Sequence, residues 1–157
     1  MVAKFTVDAP FVPIPNGISK EIIKNLNLNN QSVFYDLGCG DGRILIDVVN
    51  SSPNIKAVGI EKAFLPYFLA KIKTRRFENI EIKRGDIFKE NLSSTTDIFL
   101  YLYPQVLDRL LPNLESQCKK GTKIISCDFE FKGKKPTKII NLNTNSRRGK
   151  KLFVYNL

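Results

Sequence analysis

Apolar residues fall in short runs bounded by polar clusters and glycines, and their period changes along the chain. SKEIIKNLNL, residues 19–28, has apolar positions at helical spacing behind a serine suited to an N-cap, so a short amphipathic helix is expected there. Beyond it, apolar runs predict strands at 32–37, 55–61, 80–85 and 97–103, with helices at 42–50 and 64–77 between them. Pro104 suits the first turn of a helix reaching about residue 118, and Gly121 restarts a long strand, GTKIISCDFEF. After KGKKP, the segments TKIINLN and KLFVYNL flank the basic turn TNSRRGK and read as an antiparallel hairpin at the sheet edge. No room remains for another crossover helix.

This alternation implies an α/β fold: a doubly wound, mainly parallel seven-stranded sheet with helices on both faces, an antiparallel C-terminal hairpin and a shortened end. There is no internal repeat or low-complexity linker, so residues 1–157 form one expected domain. It divides into a lead-in and first helix (1–30), a core (31–131) and a basic edge hairpin (132–157).

Composition narrows the chemistry. Histidine is absent, which excludes imidazole as base, metal ligand or triad member. The three cysteines, Cys39, Cys118 and Cys127, form no Cys-x-x-Cys pair, so neither a disulfide framework nor a metal site is expected and a reducing compartment fits. The chain has no long apolar run, and MVAKFTVDAP lacks the apolar core of a signal peptide. Cytoplasmic localisation is therefore expected; membrane association is the expectation if a native anchor precedes residue 1. Of the net charge of +10, residues 118–151 carry +9, with eleven basic residues against Asp128 and Glu130. That concentration suits an anionic partner such as nucleic acid, an acidic protein or lipid headgroups; a solvated lysine-rich loop is the alternative.

The stretch FYDLGCGDGR carries the most specific signal. Gly38, Gly40 and Gly42 follow the first predicted strand, where an open parallel sheet binds its ligands, and they permit positive φ and close approach of backbone to ligand. A dinucleotide fingerprint needs glycine where Arg43 stands, and no Gly-Lys-Ser or Gly-Lys-Thr follows to make a P-loop. The pattern DLGCGDG resembles instead the first motif of the class I S-adenosylmethionine-dependent methyltransferases, whose sheet is Rossmann-like. The resemblance implies S-adenosylmethionine as cofactor. Asp36 would then meet its ammonium group directly or through a water, and Glu61, ending the second strand, would accept the ribose hydroxyls. Asp86, in RGDIF after the third strand, would take the adenine amine, with the Ile87 amide beside the ring.

PFVPIP, residues 10–15, reads as a stiff docked lead-in. Followed by a helix, DLGCGDGRI and a compact tail, it is similar to the small archaeal broad-specificity protein-lysine methyltransferases and the ATP synthase c-subunit lysine methyltransferases. Relatives often have Thr where Ile14 stands. The resemblance implies methyl transfer to protein lysines, with Tyr101 and Tyr103, at the end of the fourth strand, as catalytic residues near the amine. LYLYP lacks the Asn- or Asp-Pro-Pro-aromatic motif typical of enzymes that methylate nucleic acid bases. The expected partner is a protein with an exposed lysine, acidic or membrane-associated, and the chain is expected to be a monomer. RNA methylation through the basic C-terminal surface, and a non-catalytic module that binds cofactor or nucleic acid, are the alternatives.

Overall fold

The computed structural model describes residues 12–157, so Pro10 and Phe11 of the lead-in lie outside the described residues. In chain order the elements are α1 (Ser19–Asn25), β1 (Val33–Leu37), α2 (Arg43–Ser51), β2 (Lys56–Glu61) and α3 (Phe64–Thr74). There follow β3 (Ile80–Arg84), a 3-10 turn (Ile87–Lys89), β4 (Asp97–Leu100), α4 (Pro104–Gln117), β5 (Lys123–Cys127), β6 (Lys138–Asn141) and β7 (Lys151–Asn156). One seven-stranded sheet has the order β3-β2-β1-β4-β5-β7-β6. Its first five strands are mutually parallel, and β7 runs antiparallel to both β5 and β6. The expected architecture is the observed one.

Strand alternation builds two cores. Phe34, Phe99 and Ile125 pack with Ile22 of α1, Val48 of α2 and Ala70 of α3 on one face; Leu37, Ile60 and Leu100 pack with Leu107, Leu110 and Leu114 of α4 on the other. The carboxyl ends of the parallel strands share one edge, as Leu37 pairs with both Ile60 and Leu100, and Leu100 with Ser126.

Several boundaries differ from the sequence expectation. Ser19 is the first helical residue rather than the cap, since Ile18 occupies the cap position and no side-chain cap bond forms. The fourth strand ends at Leu100, not Tyr103: on one side β1 has already turned into the glycine loop, and on the other β5 runs only one residue past the partner of Leu100. Tyr101 and Tyr103 thus lie in the link to α4. The long fifth strand is cut at Cys127, where Asp128 takes φ 64°, a left-handed conformation that ends strand geometry.

The segment from 128 to 137 takes the place of a missing crossover helix. Phe131 is buried in the α4-side core, its amide donates to the Tyr155 hydroxyl at 3.1 Å, and the Lys132 amide donates to Asp108 of α4 at 2.9 Å. The chain therefore returns past α4 without a helix, through a turn at residues 132–134, to start the edge hairpin.

Candidate active site

The glycine loop leaves β1 at the shared carboxyl edge. Gly38 and Cys39 donate their amides to the Ile60 carbonyl at 2.8 and 3.0 Å, which pins the loop over β2. Gly38 has φ 85°, and a Cβ built on it would stand 3.0 Å from Leu102 Cδ2, so a side chain here is strained by conformation and requires Leu102 to give way. Asp36 is only 3% exposed. Burial, reinforced by the negative charges of Glu61 and Asp41, pushes its carboxyl up to about 8. A buried acid among acids is the environment in which an arriving cation gains most.

Glu61 uses both carboxylate oxygens as a brace, Oε2 accepting the Gly40 amide at 2.9 Å and Oε1 the Ala63 amide at 2.8 Å. Two carboxylate oxygens offer about four acceptor sites, so capacity remains for further donors. On the next strand the Gly85 amide donates to the Glu61 carbonyl at 3.1 Å, placing Asp86 beside it. Asp86 Oδ1 accepts the Phe88 amide at 3.0 Å and caps the 3-10 turn that Ile87 opens. Asp86, Glu61 and Asp36 thus stand at the ends of three neighbouring strands, β3, β2 and β1, about 4.8 Å apart strand to strand.

The sequence reading did not select Asp41. Its carboxylate takes Arg43 Nε and Nη2 at 3.0 and 2.9 Å and also pairs with Lys73 of α3. Burial raises its carboxyl, but the hydrogen bonds and charges of Arg43 and Lys73 outweigh burial and hold it at about 2. Arg43 Nη1 reaches on to the Ile14 carbonyl at 3.2 Å, so glycine loop, α3 and lead-in are tied through one carboxylate. At Ile14 it is the backbone that makes this contact, while the side chain is buried in the core. The signal for Asp41 lay inside the glycine motif, masked by the glycines around it.

Tyr101 and Tyr103 diverge after β4. Tyr101 is half-buried against the α1–α2 core; burial first, then the adjacent and hydrogen-bonded Asp128 carboxylate, push its hydroxyl up to about 12. Tyr103 is 38% exposed and packs its ring 6.2 Å from that of Phe129. Asp128 also gathers the amides of Gly149, Lys150 and Lys151 at 2.7, 2.6 and 3.3 Å. This clamp folds the β6–β7 loop down at the carboxyl edge, where Gly149 lies so close to Ile18 and Pro15 that no Cβ fits. The eleven basic residues do not form one patch. Lys123 pairs with Asn156 at the far edge of the sheet, whereas Arg147, Arg148 and Lys150 sit in the loop at the carboxyl edge.

A cradle of this kind fits S-adenosylmethionine, since the glycine loop admits backbone contact and the buried acid matches an ammonium group. Comparison with known proteins agrees. The family model described as the ANTKMT methyltransferase domain matches residues 36–138. A protein-lysine N-methyltransferase of Saccharolobus islandicus (strain REY15A) is 32% identical over 85% of this chain and 84% of its own. The ATP synthase c-subunit lysine N-methyltransferase of Rattus norvegicus is 25% identical over 78% of this chain, which spans 56% of the rat protein. Among solved structures, an RNA methyltransferase from Salinibacter ruber in complex with S-adenosyl-L-homocysteine superposes with TM-score 0.85 at 28% identity, covering 92% of this chain and 93% of that one. With a family model matched along most of its length and a relative of this similarity, the chain belongs to the ANTKMT methyltransferase domain family and is an S-adenosylmethionine-dependent methyltransferase of class I fold.

Proposed function

We propose that this methyltransferase transfers methyl groups to lysine side chains of proteins. The observation that carries the reading is spatial order: adenine-, ribose- and ammonium-suited acids, Asp86, Glu61 and Asp36, occupy successive strand ends, and the link that follows the next strand, β4, holds Tyr101 and Tyr103. The two named lysine methyltransferases among its relatives support the same substrate class.

In this reading Asp36 binds the ammonium of the cofactor, Glu61 the ribose hydroxyls, and Asp86 with the Ile87 amide the adenine. When bound, S-adenosylmethionine supplies an electrophilic methyl on a positively charged sulfur. The chain must then present a neutral amine, and withdrawing the proton from a lysine of pKa near 10.4 costs roughly 4–5 kcal/mol at pH 7. In this reading a partly desolvated approach beside Tyr101 or Tyr103 disfavours the ammonium form and reduces that cost. On the same reading the Tyr101 hydroxyl, hydrogen-bonded to Asp128, orients the amine, and in-line positioning supplies the rest.

The test is transfer of radiolabelled methyl from S-adenosylmethionine into a lysate, divided into protease-sensitive and RNase-sensitive counts, with Asp36→Ala as control. Protease-sensitive label that is recovered as methyl-lysine and lost in the variant is expected. RNase-sensitive label would replace this reading with RNA methylation, toward which the Salinibacter neighbour points.

A further inference from the structure

Helix α3 turns the usual rule of burial around. It gives its small residues, Pro66, Ala70 and Thr74, to the sheet, packs Tyr67 partly buried beside them, and sends its other large apolar residues outward. Five of the seven large apolar side chains exposed among the described residues belong to it: Phe64, Leu65, Phe68, Leu69 and Ile72, each between 39% and 65% exposed. The Phe64 and Phe68 rings stack at 6.2 Å, which makes the face continuous. A contiguous apolar surface of this sort marks an interaction site.

Charge indicates what covers it. No acidic residue occurs within α3. Lys71 on the helix, Arg75 and Arg76 at its C-terminal end and Arg84 are exposed; the Arg84 guanidinium lies 5.3 Å over the Phe64 ring and that of Arg76 5.0 Å over the Phe77 ring. Lys73 is already engaged by Asp41, and the nearby acids, Glu78 and Glu81, lie beyond the helix toward β3. None of the five apolar side chains carries a hydrogen-bonding group that could specify a protein surface. A second copy would set one cationic rim against another. An apolar stripe edged by Lys and Arg is instead the pattern of helices that lie in the interface of an anionic bilayer.

We propose that the outward face of α3 docks this protein peripherally on an anionic lipid surface. Phe64, Leu65, Phe68, Leu69 and Ile72 enter the headgroup boundary while the surrounding Lys and Arg pair with lipid phosphates. Because α3 begins just past Glu61, its docked N-terminal turn holds the carboxyl edge of the sheet close to the membrane. The docking does not depend on which substrate is methylated.

Flotation of the full chain with phosphatidylcholine vesicles, with and without phosphatidylglycerol, tests it. The protein should float with the anionic vesicles only, and less so as salt rises. Leu65→Asn/Phe68→Asn should lower the partition about tenfold, and Arg75→Gln/Arg76→Gln by a similar factor, both with unchanged melting temperature. No flotation with anionic vesicles, or an unchanged partition in the Leu65/Phe68 variant, would overturn the proposal. So would a concentration-dependent dimer that the Leu65/Phe68 variant abolishes, which would give the face to a second copy.

Discussion

If Asp36 meets the cofactor ammonium as proposed, cofactor binding is tied to pH. Its carboxyl is raised by burial and by Glu61 and Asp41 to about 8, against an ordinary value near 3.9 in an unfolded chain. The folded ligand-free protein therefore holds a proton that the unfolded chain has released, so its stability should fall as pH rises from about 4 to about 8. Asp41, held at about 2, does not titrate in that window. Thermal unfolding from pH 5 to 8 should show this slope, and Asp36→Asn should flatten it. A cofactor ammonium favours the carboxylate, so binding near pH 7 should release up to about one proton, read by calorimetry in buffers of different ionisation enthalpy. Asp36→Asn should remove that release and weaken binding by about a hundredfold, as removing one partner of a buried charge pair does. Tyr101 differs in that its hydroxyl, pushed to about 12, stays protonated throughout the working range. Tyr101→Phe should lower kcat about tenfold with cofactor Kd unchanged. The rise of kcat/KM with pH should remain, since it reflects the substrate amine.

Between elements, the fit of the glycine loop to the sheet depends on Gly59 of β2, paired with Asp36 across the ladder. A Cβ there would lie 2.5 Å from Leu45 Cδ1 of α2 and 2.7 Å from Cys39 Sγ of the loop. Gly59→Ala should destabilise the protein by about 1–3 kcal/mol in denaturant unfolding, as overpacking does, and weaken cofactor binding by displacing the loop. Nothing in VGIE distinguishes this glycine, because its neighbours come from two other segments of the chain. Asp36, Glu61 and Asp86 were legible for the opposite reason: each follows an apolar run, and the end of a parallel strand can be read from that run alone. The ends of β4 and β5 were not legible. LYLY and SCDFEF retain strand character, but a strand stops where its neighbours stop, and Asp128 turns aside to collect three amides from a loop more than twenty residues away.

Across the whole molecule, the basic excess has two destinations. Lys123 marks the amino edge of the parallel sheet, and Lys134 pairs with Glu115 of α4 at 3.4 Å, so neither addresses a substrate at the carboxyl edge. Arg147 and Arg148 lie at that edge, in the loop that the Asp128 clamp holds. Arg147→Gln/Arg148→Gln should raise KM for an acidic protein substrate about three- to tenfold and reduce its dependence on salt, leaving cofactor Kd unaltered. Methyl-transfer assays across a salt series would show it. The sequence by itself determined the fold class, the seven strands, their hairpin end and the acids at the ends of the first three strands. These follow from local periodicity and from motifs whose parts are adjacent in the chain. Tertiary structure decided where β4 and β5 stop, the Asp41 tie between loop, helix and lead-in, and the meeting of Tyr101 with Asp128. It also decided which side of α3 stays uncovered. Such features depend on which distant segments come together, and that is set by the packing of the whole sheet rather than by any single stretch of residues.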